Sequence, residues 1–329
     1  MQIFLTYDYE LFFGNPTGTA EKCILEPSNQ LREISKRTGV KMVFFIDTGY
    51  LKKLIEFKDQ FEKVKFEHDK VINQIKTLVS EGHDCQLHIH PHWEDCKHDG
   101  NEWIMNTDRY KLDDFSDEKI TSIVKEYKSI LETITSKTVS SFRAGGWCLQ
   151  PFNRIEKVFK EIGISLDSTV FPDGKFTAGN YYYDFTNSPP KSKWKFSNDL
   201  IKEDENGSFW EYPISNYKYN PLFFWRLFIL GRLKPSQHKP IGNGYPMSSP
   251  GLRKKMLTKG MNLSASADGY FVTKLNTVLK RNTKKGFEEM VIIGHPKANT
   301  LFALKQLEKF INSNKSEHQF KTFADLDLK

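Results

Sequence analysis

The sequence predicts an α/β fold whose parallel sheet closes into a barrel, and three observations predict it. Short β-rich runs alternate with segments of helical periodicity along most of the chain, the pattern of a parallel sheet or barrel. The runs "VKMVFFID" (40–47) and "MVIIGH" (290–295) are nearly continuous in apolar residues, as strands buried on both faces are. Finally, Asp8, Glu10, His88, Arg143, Asp167 and His295 all fall at or just past the C-terminal end of a predicted strand. Parallel α/β barrels build their active sites at that end.

The elements follow in order. "QIFLTY" opens the chain as a strand. "EPSNQLREISKRTG" reads as a helix with Pro27 near its start and Gly39 as its stop. After the strand at 40–47, "KVINQIKTLVSEG" spaces Val71, Ile75, Leu78 and Val79 by three and four residues and stops at Gly82, a helix packed by one face. "HDCQLHIH" is the next strand. "SDEKITSIVKEYKSILETI" is a helix with Ser116 as N-cap and acidic residues in its first turn. "VSSFRA" is a strand, and "PFNRIEKVFKEIG" a helix with Pro151 in its first turn and Gly163 as its stop. "ISLDSTV" is a strand. "MVIIGH" and the helix "NTLFALKQLEKFIN" come near the end, and "HQFKTFADL" closes the chain.

Residues 175–265 break this rhythm. They are rich in Tyr, Trp, Pro, Ser and Lys, and "GSFWEYPI" is the one clear strand in them. They read as an elaboration of a single catalytic domain spanning 1–329, because the last predicted strand lies beyond them. Within them "PLFFWRLFILGRLK" (221–234) is apolar nearly all round, is interrupted by Arg226, and is shorter than the roughly 20 residues a bilayer span needs. It fits three roles: a buried helix, a lid over a substrate, or an interfacial helix making peripheral membrane contact.

The composition is that of an ordinary soluble globular protein. The net charge of +7 favours anionic partners such as phosphate esters, nucleotides or acidic lipid headgroups. No run of five like charges occurs, the basic clusters at 252–256 and 280–286 read as solvated surface, and nothing points to nucleic acid. Cys23, Cys85, Cys96 and Cys148 form no CxxC pair and too sparse a set for a disulfide framework, so free thiols are expected. The start "MQIFLTYDYE" has neither a basic n-region nor an apolar h-region, which predicts a cytoplasmic protein.

Several residues offer chemistry. Asp8 and Glu10 are two apart and share one side of an extended strand. Such a carboxylate pair calls for a cation or for separate roles, unless one of the two simply faces solvent. In "LHIHPHW", His88, His90 and His92 alternate, and imidazole is the commonest protein ligand for zinc-like ions. Fully extended, the three would share one face; Pro91 argues instead that the strand ends near His90, which lets His88 and His92 converge around a turn with His90 free to point elsewhere. Arg143 stands beside two glycines in "FRAGGW", able to orient a carboxylate or to serve as a plain surface arginine. His295 follows an apolar strand as a candidate acid or a core histidine.

The ordered set "TYDYE", "GHDCQLHIHPH", "FRAGGW", "GISLDSTV" and "IIGHP" resembles the polysaccharide deacetylase family, or NodB-homology domain, in a branch with an Asp-x-Glu first motif. The resemblance runs from residue 3 to about residue 300 and is weakest between about 175 and 285. It implies a distorted (β/α) barrel of about seven strands. It further implies Asp8 as catalytic base and Glu10, His88 and His92 as ligands of a divalent metal, zinc foremost, with His90 as an additional candidate. Arg143 would hold the base, and Asp167 would tune His295, the general acid. Two departures stand out: Tyr9 where the common motif has a second Asp, and Gly145 where the family often has Pro.

The implied function is metal-dependent removal of an N-acetyl group from an amino sugar in surface-polysaccharide or glycoconjugate biosynthesis. A cytoplasmic location would favour a nucleotide-linked or lipid-linked substrate. Three other readings compete: hydrolysis of a formamide or cyclic amide at the same site, an amidohydrolase or polymerase-histidinol-phosphatase type barrel marked by "HIHPH", and a non-catalytic glycan-binding barrel. The second places its His-x-His on the first strand, whereas here Asp8 and Glu10 come first.

Overall fold

The computed structural model describes residues 1–233, 235–247 and 252–327. The chain forms two compact units. One comprises Met1–Met42 with Ile214–Lys321, the other Val43–Pro213 with Thr322–Lys329.

In the first unit the strand Gln2–Tyr9 is buried along nearly its whole length, with Ile3, Phe4, Leu5 and Tyr7 in the core. It pairs in parallel with Glu289–Gly294, in a register running from Gln2 opposite Glu289 to Tyr7 opposite Gly294. The hydroxyl of Thr6 donates to the carbonyl of Ile292 at 2.8 Å, so the polar residue inside this core is satisfied. The helix Glu26–Thr38 ends at Gly39, whose φ of 78° is the left-handed conformation that glycine takes at low cost. The helix Leu301–Asn314 begins at Thr300, whose side chain accepts from the Ala303 amide. The helix Leu275–Lys284 lacks a strong sequence signal; it follows a 3₁₀ turn over Gly269–Lys274.

In the second unit the strands lie in the order Trp194–Phe196, Phe209–Glu211, Leu166–Asp167, Ser141–Ala144, Asp84–Ile89, Val43–Asp47. All pair in parallel except the first two, which are antiparallel. The registers set Asp47 opposite His88, His88 opposite Arg143, and Phe142 opposite Asp167. Parallel register thus delivers three chemistry-bearing side chains to neighbouring strand ends.

The helices of this unit are Thr48–Phe57, Glu62–Ser80, Asp117–Thr135 and Asn153–Ile162. The third starts at Ser116, whose hydroxyl accepts from the Lys119 amide. The second starts well before the expected segment and buries Val71, Ile75 and Leu78, leaving Val79 half-buried at its edge. Pro151 lies two residues ahead of the fourth helix rather than inside its first turn. The first helix, with Gly49 in its first turn, is not among the elements predicted from the sequence. A Cβ at that position would stand 2.8 Å from the ring of Trp93, so close packing, not a turn, explains the glycine.

The stretch 175–265 holds more structure than expected. The hairpin Lys175–Ala178 with Tyr181–Asp184 and the strand Trp194–Phe196 lie in the second unit. The antiparallel pair Asn216–Tyr219 and Met261–Ser264 lies in the first. The helix Pro221–Leu233 buries only Phe223 and Phe224, so half of it is not a core helix. Lys234, the last residue of that predicted segment, lies outside the described residues. All four cysteines are free and buried.

Candidate active site

The first unit brings together Asp8, Glu10 and His295. The parallel register ends with Tyr7 opposite Gly294, so Asp8 and His295 leave the sheet side by side. Nε2 of His295 lies 3.7 Å from Oδ2 of Asp8 and 3.9 Å from Oε1 of Glu10. Both carboxylates are buried, each at 5 % exposure.

The other side of His295 is held by Asp268. Its Oδ1 accepts from the His295 amide at 2.7 Å and its Oδ2 lies 2.7 Å from Nδ1. Since the carboxylate only accepts, Nδ1 carries a proton there. Burial works against a charge on His295, but Asp268, Asp8 and Glu10 outweigh it and raise the imidazole to about 9.

Asp268 is therefore the carboxylate that holds Nδ1 of His295; the resemblance implied Asp167 as the residue that tunes it. Asp268 follows an irregular stretch tied to the last parallel strand by a single bridge, Ser266 to Ile293. A faint signal was present in "SASADGY", an alternating run ending in Asp before Gly. Lys297 is a second residue that sequence reasoning missed. Its ammonium donates to Oε1 of Glu10 at 2.8 Å and to the carbonyl of Leu11 at 2.5 Å, above the rings of Phe12 and Phe13.

The second unit brings together His88, His90, His92 and Arg143. Nδ1 of His88 lies 2.8 Å from the carbonyl of Arg143. The carbonyl can only accept, so Nδ1 is the protonated nitrogen and Nε2 keeps its lone pair, the arrangement common to metal-binding histidines. His90 is the middle ring of three, with centroids 4.8 Å from His88 and 5.3 Å from His92. His92 stacks flat on Tyr110, the planes 2° apart. Gly145 packs directly on His90: a Cβ built there would lie 2.5 Å from Nδ1.

Arg143 is fully buried and is no surface arginine. Its Nε donates to the Ser168 carbonyl at 2.8 Å, its Nη2 to the Ser168 hydroxyl at 3.1 Å, and its guanidinium lies over the Phe45 ring at 4.2 Å.

Asp167 accepts from the amide and hydroxyl of Thr169 at 3.0 and 2.7 Å. It is hydrogen-bonded to Glu211, and burial raises its pKa. Burial pushes Glu211 well above the carboxylate range, and the charge on Asp167 adds to this. The proton of the pair therefore sits on Glu211, which donates to Asp167. Asp167 thus closes a buried carboxyl pair near Arg143.

No family model and no curated protein sequence matches the chain. Solved structures do match in fold. A structure assigned as a polysaccharide deacetylase from Mycobacterium smegmatis is 13% identical over 98% of this chain and 87% of its own, with a TM-score of 0.55. A PuuE allantoinase is 11% identical over 98% and 88%, with a TM-score of 0.52. The chain therefore has the distorted (β/α) barrel fold of the polysaccharide deacetylases, as its ordered motifs led us to expect.

Proposed function

We propose that this chain is a metal-dependent carbohydrate de-N-acetylase. The observation that carries the reading is His295, gripped by Asp268 at Nδ1 and facing Asp8 and Glu10 with Nε2. A histidine fixed on one side by a carboxylate and open on the other is suited to general acid catalysis, and a second carboxylate nearby supplies a base.

The donor chemistry fits a divalent cation. The resemblance assigns a divalent cation to Glu10, His88 and His92, with His90 as an additional candidate, and all four side chains are buried. One carboxylate with two imidazoles suits zinc and other first-row divalent ions, and the hydrogen bond from His88 Nδ1 leaves its Nε2 available. When bound, such an ion polarises the acetamide carbonyl and acidifies water.

The remaining steps belong to the protein. Asp8 accepts the proton of the attacking water, in the role the resemblance assigns it, with Arg143 orienting the base. His295 donates a proton to the departing nitrogen. The amide C–N bond breaks, and acetate and a free amino sugar leave.

The test is elemental analysis of the purified protein followed by acetate release from N-acetylated amino sugars carried on nucleotide, lipid pyrophosphate or polymer. Activity on the nucleotide or lipid carrier would place the reaction in glycoconjugate assembly. Asp8→Asn and His295→Ala are each expected to lower turnover by about 10²–10⁴. Wild-type turnover in both would refute the assignment. The likeness to an allantoinase supports a second reading, hydrolysis of another C–N amide, so allantoin and a formamide belong in the same panel. Glycan binding by a metal-free protein without hydrolysis would replace both with a binding barrel.

A further inference from the structure

The helix Pro221–Leu233 packs against the helix Leu252–Lys259 in the first unit. One side of it is core: Phe223 and Phe224 pack with Tyr219, and Leu227, Met256 and Leu257 close over them. The indole N–H of Trp225 donates to the Leu257 carbonyl at 3.2 Å and ties the two helices together. Interior packing thus accounts for only one face of an all-round apolar helix.

The opposite face has no such cover among the described residues. Leu222, Trp225, Ile229 and Leu233 are 63, 47, 48 and 71 % exposed. Their spacing of three, four and four places them in one stripe along the helix. Side chains of this size in a row exceed the scattered apolar exposure of an ordinary surface.

Charge is concentrated in the same place. Between Glu211 and Asp268 the sequence has nine Lys and Arg and no Asp or Glu. The rest of the chain has 39 Lys and Arg against 41 Asp and Glu, so the whole positive balance of the protein resides in this segment. Arg226 and Arg232 on the first helix, and Arg253, Lys254, Lys255 and Lys259 on the second, are all exposed.

We propose that this helix pair docks the protein on an anionic lipid bilayer, with Leu222, Trp225, Ile229 and Leu233 entering the headgroup–acyl boundary and the surrounding lysines and arginines meeting lipid phosphates. An apolar stripe bordered by cations is the pattern of an interfacial helix. Tryptophan settles at that depth, and arginine can keep its stem in the apolar layer while its head reaches phosphate. The first helix has 13 residues, and no described helix is long and apolar enough to cross a membrane, so the contact is peripheral. The inference is separate from the catalytic one: Asp8→Asn is expected to keep full membrane binding.

The test is flotation of the full chain with vesicles of phosphatidylcholine alone and with added phosphatidylglycerol. Binding is expected to the anionic vesicles and to weaken with salt. Arg253→Glu with Lys254→Glu and Lys255→Glu should lower the partition coefficient on the order of a hundredfold. Leu222→Ser with Ile229→Ser and Leu233→Ser should lower it at least about tenfold. These residues lie outside the Phe223–Phe224 core, and unchanged melting in each variant shows that the loss is not unfolding. Wild-type indifference to lipid charge, or full binding by either variant, would overturn the proposal. So would a dimer dissolved by the serine substitutions, or tighter binding to duplex DNA that only the charge reversal abolishes.

Discussion

Gly145 stands directly against the imidazole of His90, with room for no Cβ: one built there would lie 2.5 Å from Nδ1 and 2.6 Å from Cγ. The extra histidine between the expected pair and the glycine in place of the frequent proline are thus one packing unit. Gly145→Ala is expected to destabilise the fold by about 1–3 kcal/mol through overpacking and to displace His90. In a His90→Ala background the same substitution should cost nearly nothing. Urea unfolding of the four proteins gives the coupling, and additive losses would show that the contact is not what requires the glycine.

Asp268 is expected to control the proton on His295. In the metal-free protein His295 should keep its proton to about pH 9, because Asp268 holds the protonated Nδ1. Asp268→Asn removes the largest opposing charge and leaves burial to act, so the imidazole should titrate well below its wild-type position. The imidazole NMR signals of chelator-treated protein, assigned with His295→Ala, report this directly. An unmoved titration would assign the control of His295 to Asp8 and Glu10 instead.

Much of the fold was legible because strands such as Val43–Asp47 and Glu289–Gly294 are nearly continuous in apolar residues and helices carry clear stops: Gly39 and Gly163 both end helices with positive φ. Ordered motifs placed His88, Arg143 and His295 at strand ends for the same reason. Asp268 was harder to read because it follows an irregular segment with one bridging pair, where no period marks an inward side. Lys297 follows Pro296 in a short turn, and a lysine there reads as surface until the fold buries it on Glu10. Glu211 lay on a recognised strand, but three residues of alternation cannot tell an acid that faces Asp167 from one that faces water.

Glu94 should make the fold acid-sensitive. Its side chain is 7 % exposed. Burial alone would raise its pKa, but Lys119, Lys52 and Tyr127 bind it and hold the carboxyl at about 2. A carboxyl depressed on folding contributes stability that is fully present above its unfolded pKa near 4.5 and lost as pH falls towards 2. Discounted for solvent screening of the partly exposed Lys119, the contribution is about 2–3 kcal/mol. Glu94→Gln should therefore lower stability at pH 7 and flatten its dependence between about pH 4.5 and 2, measured by urea midpoints across that range. A parallel decline in both proteins would place the acid sensitivity elsewhere.

Lys297 is expected to compete with a cation for Glu10. Its ammonium occupies Oε1 of that carboxylate at 2.8 Å in a buried setting, so it neutralises the charge a divalent ion would use. Lys297→Met removes the competitor and should tighten zinc or cobalt binding about tenfold by titration calorimetry, a gain of about 1.4 kcal/mol. The same substitution leaves Glu10 buried without its partner, which should cost the metal-free protein about 3–5 kcal/mol. The two effects act together: added zinc should raise the melting temperature of Lys297→Met by more than it raises that of the parent. Lys297→Arg retains the positive charge and should behave as the parent in both measurements. Weaker metal binding by Lys297→Met would instead make the lysine the group that orients Glu10, and no change in either readout would leave the pair a purely structural one.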